Sequence, residues 1–415
     1  MSPSPDFPLL RYVEPQAHEH KGQKFLILTD PMGFAEGAYP VTLYGAFLLQ
    51  MFDGKHAPAD MQEEFRRATG RNVPEEDIRG LIKDLDAAGF LVGEAFEARK
   101  KKIVDRFRAA PVRPAWSQGA YIPPGGQGPE GIPGYLESFF SHERGPGQAP
   151  PPAVKKGAVK AILAPHIDLH RGGPCYAHAY GALAQGCSAD TFVVLGVAHK
   201  SPGTLYTATK KAYDTPLGAA PVDTEFVDEL ASRWKGGDLF ADEIYHRDEH
   251  SIEFQALLLR WLFRDKPFRI VPILVSSMHE HVFKRTDPLA DPQIAGFVDA
   301  LRQTVEKRGK VVMIGAVDLS HVGAKFGDKD PVTPDLLKKI EAEDLASLEH
   351  AAAVDPKKWF KSVSDVKDWR KICGLSAITT LLAATDAKKG SLVKYDRFAD
   401  LENHEVVSYT AMEFR

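Results

Sequence analysis

Four short apolar runs place the strongest constraint on this chain. Residues 158–165 (AVKAILAP), 191–198 (TFVVLGVA), 268–276 (FRIVPILVS) and 310–318 (KVVMIGAVD) are rich in β-branched side chains. Each reads as a strand buried on both faces, the habit of a parallel or mixed sheet. Between them lie stretches at helical spacing: YAHAYGALAQG, DTEFVDELASRW, EHSIEFQALLLRWLF and IAGFVDALRQTVEKRG. This alternation predicts an α/β domain, a layered mixed β-sheet flanked by helices. In open α/β sheets ligands bind at the carboxyl ends of the strands. Function is therefore to be sought there.

The alternation stops short of the N-terminus. Residues 110–155 are crowded with proline and glycine (APVRPAW, YIPPGGQGPEGIPG, RGPGQAPPP), with one short helix expected in IPGYLESFFSHE. Such segments break helices and strands, and they divide the chain into residues 1–108 and 109–415. In the first part, residues 41–52 (VTLYGAFLLQMF) read as a helix stopping at Asp53-Gly54. A second helix runs from Pro58 to a closing glycine, Gly70. A third begins near Pro74, with acidic residues in its first turn and Ile78, Leu81, Ile82 and Leu85 as its buried stripe. The following AGFLVGEAF reads as a short strand turning back. Three helices and a strand-turn suggest a winged helix. On LLQMFDGKHAPADM and VPEEDIRGLIKDLDAAGFL this part resembles the PqqD-like winged-helix modules, and the resemblance implies docking of a peptide or partner. A purely structural accessory domain is the alternative.

Charge and cysteine usage narrow the function classes. The net charge of −4 lacks the basic excess of a generic nucleic-acid binder. Three cysteines, Cys175, Cys187 and Cys373, with no C-x-x-C, exclude a disulfide scaffold and a conventional zinc finger. The opening MSPSPDFPLLRY is not a secretory signal, and runs such as AITTLLAA fall far short of the ~18 apolar residues of a membrane span. A cytoplasmic protein with no membrane association is the expectation.

Polar, metal-competent residues follow three of the four predicted strands. The first leads into Pro165-His166-Ile167-Asp168-Leu169-His170, the second into His199, and the fourth into Asp318-Leu319-Ser320-His321. A lone cysteine, Cys373, precedes the apolar run LSAITTLLAA, and Asp248-Glu249-His250-Ser251-Ile252-Glu253 opens a helix. One histidine at a strand end is an ordinary solvated or capping residue. Three after three separate strands converge on one crevice. Imidazole and thiolate together suit iron, copper or zinc, and two histidines with one cysteine leave positions open for water or substrate.

Other clusters carry less. His18 and His20 read as part of a flexible arm, and His279 and His281 as a solvated helix start. Gly172-Gly173 and the group Gly125, Gly126 and Gly128 read as turn glycines without a nucleotide-site context. Arg99-Lys100-Lys101-Lys102 reads as a solvated face, and Cys175 and Cys187 as buried small hydrophobes.

Seven strings occur in order over residues 112–415: APHIDLHRGGPCYAHAYGAL, VVLGVAHKSPG, YDTPLG, DEHSIEFQALLL, VPILVSS, GAVDLSHVG and ICGLSAITTLL. Through them the chain resembles the Memo-like proteins, called AmmeMemoRadiSam system protein B in bacteria and archaea. The resemblance implies a fold related to the class III extradiol dioxygenases and a metal triad on His166, His199 and Cys373. It places His321 as the counterpart of the dioxygenase general base, with Asp318 beside it, and His250 and Glu253 near the same crevice. The family's P-H-A-G-Y is here Pro165-His166-Ile167-Asp168-Leu169, so one wall of the pocket differs.

Two expectations follow. The first is a metal-dependent, oxygenase-like oxidoreductase using Fe(II), or else Cu or Zn, on a small-molecule or peptide substrate. The second is a non-catalytic scaffold with a vestigial metal site. The resemblance also implies radical SAM and AMMECR-like partner proteins.

Overall fold

The computed structural model describes residues 6–121, 131–148, 159–200 and 202–415. Gly125, Gly126 and Gly128 lie outside the described residues. The chain divides into two units, Met1–Ala109 and Ala110–Arg415.

The first unit begins with three antiparallel strands, β1 (Glu14–His20), β2 (Gln23–Thr29) and β3 (Tyr39–Thr42). Lys21 and Gly22 both adopt positive φ between β1 and β2, as a two-residue hairpin turn demands. His18 and His20, expected in an arm, therefore sit on an exposed strand. Helix α1 (Leu43–Leu49) is shorter than expected because Val41 and Thr42 belong to β3, and Thr42 caps the helix by accepting from the Gly45 N–H. Helix α2 (Pro58–Thr69) ends at Gly70 in the left-handed conformation. Helix α3 (Glu75–Ala87) opens on three acidic residues and buries Ile78, Ile82 and Leu85, while Leu81 stays half-buried. The expected closing strand is only one bridge, Leu10 to Leu91. Its later residues enter helix α4 (Glu94–Ala109) because Phe96 and Phe107 are buried from a helical face. Lys100, Lys101 and Lys102 lie exposed on that helix.

The second unit carries an eight-stranded sheet. In chain order, β4 (Val112–Arg113) and α5 (Ile132–Ser141) precede β5 (Ala161–Ala164), α6 (Leu169–Gly186), β6 (Thr191–Val197) and β7 (Tyr206–Ala208). Then come β8 (Ala212–Tyr213), α7 (Thr224–Arg233), α8 (His250–Leu262), β9 (Arg269–Val275), α9 (His279–Lys284) and α10 (Pro292–Arg308). The chain closes with β10 (Val311–Ala316), β11 (Asp318–Gly323), α11 (Pro334–Ala352), α12 (Pro356–Ser364), α13 (Leu375–Ala384), β12 (Gly390–Asp400) and β13 (Glu405–Phe414). The sheet order is β11-β13-β5-β10-β6-β9-β7, with β12 paired to β13, and β4 and β8 form a separate short pair. Strands β5, β10, β6 and β9 are parallel, whereas β13 runs antiparallel to both β5 and β11.

Alternation along the central strands explains the two helical layers. Leu163, Val193, Val271 and Met313 point into one core, and Ile162, Val194, Ile270 and Ile314 into the other. Burying each such side chain contributes roughly 1.5–3 kcal/mol. Gly172 and Gly173 lie inside α6 rather than in a turn. A Cβ at Gly173 would come within 2.4 Å of the Phe139 ring, so the glycine lets α5 and α6 approach. Cys175 and Cys187 are both buried. Among the described residues no helix is long and apolar enough to cross a membrane.

Candidate metal centre

His166 follows β5, where the parallel sheet opens. Its backbone N–H donates to Asp318 Oδ1 at 3.0 Å. Its ring lies 2.8 Å from the Ala316 carbonyl through Nδ1, which must therefore be the donor. That bond fixes the tautomer and turns the Nε2 lone pair toward the crevice. Cys373 Sγ lies 3.4 Å from this Nε2. The edge of a tetrahedron with metal–ligand bonds of about 2.0–2.3 Å is ~3.5 Å.

His199 follows β6 and is bound differently. Its backbone N–H and its Nδ1 both face the Glu249 carboxylate, at 3.0 Å to Oε2 and 3.0 Å to Oε1. Again Nε2 is left for a ligand. One donor atom each from His166, His199 and Cys373 lie within 4.8 Å of one another. The donor set and its spacing fit a single metal ion. His199 and His250 also form a three-donor group with Glu249, so two groups share one imidazole.

Cys373 is carried by a tightly turned loop between α12 and α13. Lys367, Asp368 and Lys371 all adopt positive φ there, unfavourable for residues with a Cβ. Asp368 accepts from the Ile372 N–H, and the Gly374 N–H donates to the Asp318 carbonyl. A Cβ on Gly374 would lie 2.6 Å from that carbonyl, so the loop packs backbone to backbone against β11.

Electrostatics follow from burial and charge together. Burial pushes the His166 pKa well down, with the charges of His199 and His250 adding to it. Burial also opposes a charge on His199, but Glu249 outweighs it and the pKa is raised. Burial alone would lift the Glu249 carboxyl. The charge and hydrogen bond of His199 overcome it and hold the group well below the usual carboxylate range. Asp318 is pushed up to about 7 by burial, against the N–H donors of His166 and Ile167. Burial and then Asp318 push the Cys373 thiol well up.

The other expected residues divide. His250 stacks on His199 with ring centroids 4.8 Å apart, and burial lowers its pKa. Asp318 stands 3.6 Å from His166 Nε2 through Oδ2. His321 lies within β11 rather than at the end of β10, and is outside both three-donor groups. Its Nδ1 donates to the Leu319 carbonyl, and burial lowers its pKa to about 4. Glu253 does not join the cluster. Its carboxylate is paired with the buried Arg113 and accepts from the Trp116 and Ser117 N–H groups and the Tyr121 hydroxyl. A buried carboxylate needs such partners, and these lie on the segment leading into the domain. Glu249 was not singled out in the sequence. Its one local signal is its place immediately before a helix, where an acidic residue caps the first turn, as it does here for Ser251.

Comparison with known proteins agrees with this architecture. A family model described as Memo-like protein matches residues 127–413. A MEMO1 family protein of Aquifex aeolicus is 28% identical over 415 residues, covering 98% of this chain and 99% of that relative. One from Methanopyrus kandleri is 30% identical over 293 residues, 69% of this chain and 94% of its own length. One from Thermus thermophilus is 26% identical over 336 residues, 81% of this chain and 92% of its own. With its central sheet, its crossing helices and the greater part of its length accounted for, the chain belongs to the Memo-like family.

Proposed function

We propose that the protein is a metal-dependent oxidoreductase of the non-heme iron kind, with His166, His199 and Cys373 as the ligands. The observation that carries this reading is the commitment of both Nδ1 atoms to acceptors, which leaves two Nε2 lone pairs beside one thiol. Two imidazoles and a thiolate suit iron, copper or zinc; Fe(II) is preferred on the resemblance to the non-heme iron dioxygenases, with copper or zinc as lesser options. When bound, the metal supplies a Lewis acid or a one-electron partner for substrate or O₂.

The chain's own residues supply the rest. Glu249 orients His199 and strengthens it as a donor. Asp318, with a pKa of about 7, is matched to taking or giving a proton near neutrality. His321 is neutral there, and its Nδ1–H bond leaves Nε2 as the proton acceptor. His250 forms part of the crevice wall. Element-resolved analysis of protein purified without oxygen tests the reading. One equivalent of metal is expected, lost in His199→Ala and Cys373→Ser while the fold persists. No metal in the native protein or after anaerobic reconstitution would remove it.

A second reading, a partner-binding scaffold, has one observation in its favour. The Methanopyrus relative is almost fully accounted for by 69% of this chain, whereas the Aquifex relative matches nearly all of it. The first unit lies outside residues 127–413, the part that the Memo-like family model matches. In this reading the unit is a PqqD-like winged helix that docks a peptide or a radical SAM or AMMECR-like partner in the cytoplasm. Pull-downs with the full chain and with a chain lacking residues 1–108 test it. A partner held only by the full chain supports it, and equal retention counts against it.

A further inference from the structure

Two arginines of the second unit, Arg113 and Arg370, are 0% and 1% exposed. Each sits directly behind one wall of the crevice. Arg113 Nε donates to the His246 carbonyl at 2.8 Å and Nη2 to the Glu249 carbonyl at 2.8 Å. Its guanidinium also lies over the Tyr213 ring and pairs with Glu253. The fork thereby fixes the backbone from which both Glu249 and His250 project.

Arg370 anchors the loop that carries Cys373 to α11. Its guanidinium binds Asp344 and donates to Ser347 Oγ. Asp344 in turn accepts from Ser320 of β11, Tyr395 of β12 and Ser408 of β13. The Arg370 carbonyl accepts from the His321 N–H at 2.7 Å. Only Lys371, in its positive-φ conformation, and Ile372 separate Arg370 from Cys373. One buried carboxylate thus ties the strand bearing Asp318 and His321 to the loop bearing the thiol.

We propose that Arg113 and Arg370 are positioning residues, Arg113 for the Glu249–His199 wall and Arg370 for the Cys373–His321 wall. The inference rests on the metal reading above. A buried ion pair is a weak source of stability compared with apolar side chains of the same volume. What these forks provide is fixed direction: Arg113 presents several donors in one plane to the His246 and Glu249 carbonyls and to Glu253, and Arg370 presents them to Asp344 and Ser347 of α11. Lysine keeps the charge and loses the fork.

The test is Co(II) titration of the full chain, read by the thiolate-to-cobalt charge-transfer band and by the shifted ring N–H signal of His199. Arg370→Lys is expected to move the thiolate band and leave the His199 signal. Arg113→Lys should do the reverse, and each should weaken Co(II) binding by roughly tenfold, the lower range for residues behind a ligand. Leu301→Ala, a core truncation on α10, is the control for lost stability alone and should change neither signal. If a lysine variant does not fold, Asp344→Asn or Glu253→Gln loosens the same pair and takes the same readings. Folded variants with both signals and the affinity unchanged would overturn the inference, as would variants that disturb both walls alike. A wild-type chain that takes up no cobalt would remove the metal reading and this inference with it.

Discussion

Replacing Glu249 by glutamine isolates one interaction at the centre of the site. The wild-type carboxylate accepts from the His199 backbone N–H, the His199 Nδ1–H and the Ser251 N–H, all at 2.9–3.1 Å. Glutamine keeps one acceptor oxygen and puts an amide NH₂ where the other stood. The bond to the ring then becomes neutral. Hydrogen bonds to a charged group are worth about 1.5–3 kcal/mol, and neutral ones about 0.5–1.5. A loss of about 1–2 kcal/mol at the ring is therefore expected, or roughly 5- to 30-fold in metal affinity. The sign of the pH dependence also follows. The charge on Glu249 raises the His199 pKa, so in the wild type a proton would compete with the proposed metal up to a higher pH. The variant loses that competition along with the donor strength. Its deficit should be smallest at acid pH and largest above the raised His199 pKa. Competition against a chromophoric chelator at pH 6 and pH 8 measures this, with circular dichroism as the check on folding. Equal affinity at pH 8 in a folded variant would refute the role given to Glu249.

Three further outcomes are expected. Because burial raises the Asp318 pKa to about 7, above ~3.9 in the unfolded chain, the native state binds more protons between those values. Stability of the metal-free protein should fall as pH rises through that window, and Asp318→Asn should flatten the slope in denaturant melts; an unchanged slope would count against it. Cys373 is held as a thiol by burial, so uptake of the proposed metal would release its proton. Calorimetry in buffers of different ionisation enthalpy should find one proton fewer released by Cys373→Ser, whose affinity should drop beyond the roughly 10–100-fold of an outer-shell change. Gly374→Ala places a Cβ 2.6 Å from the Asp318 carbonyl and 2.7 Å from Val317 Cβ. Overpacking of this kind costs about 1–3 kcal/mol, and thermal melts should show it together with weaker metal binding; wild-type behaviour would mean that the loop does not press on β11.

The parts most legible from sequence are those with an apolar run or an apolar stripe. Strands β5, β6, β9 and β10 are buried on both faces and stand out as unbroken β-branched runs. The stretches at helical spacing agree with α7, α8 and α10 to within two residues at each end. The hairpin β12–β13 was not seen, because β12 mixes charged and half-buried positions without clean alternation. Strand β11 is indistinct from β10 in the sequence because only Val317 separates them. The residues around His166 and His199 could be found from strand ends alone. Cys373 could be placed only through family resemblance, since its position depends on a positive-φ loop without a glycine at those turns. Glu249 and Glu253 exchanged their expected importance for a similar reason: the partner that claims Glu253 is Arg113, far away in the chain.

The place of β13 in the sheet has a consequence for when the protein becomes competent. This strand lies between β5, which leads to His166, and β11, which carries Asp318 and His321. During synthesis both of its neighbours leave the ribosome before residues 405–414 do. Until those residues arrive, the edge of β5 and the whole of β11 have no strand to join them, and the crevice has no closed side. Assembly of the site therefore waits for residues 405–414, and a nascent chain stalled before residue 405 would carry every proposed ligand yet lack the strand that joins β5 to β11.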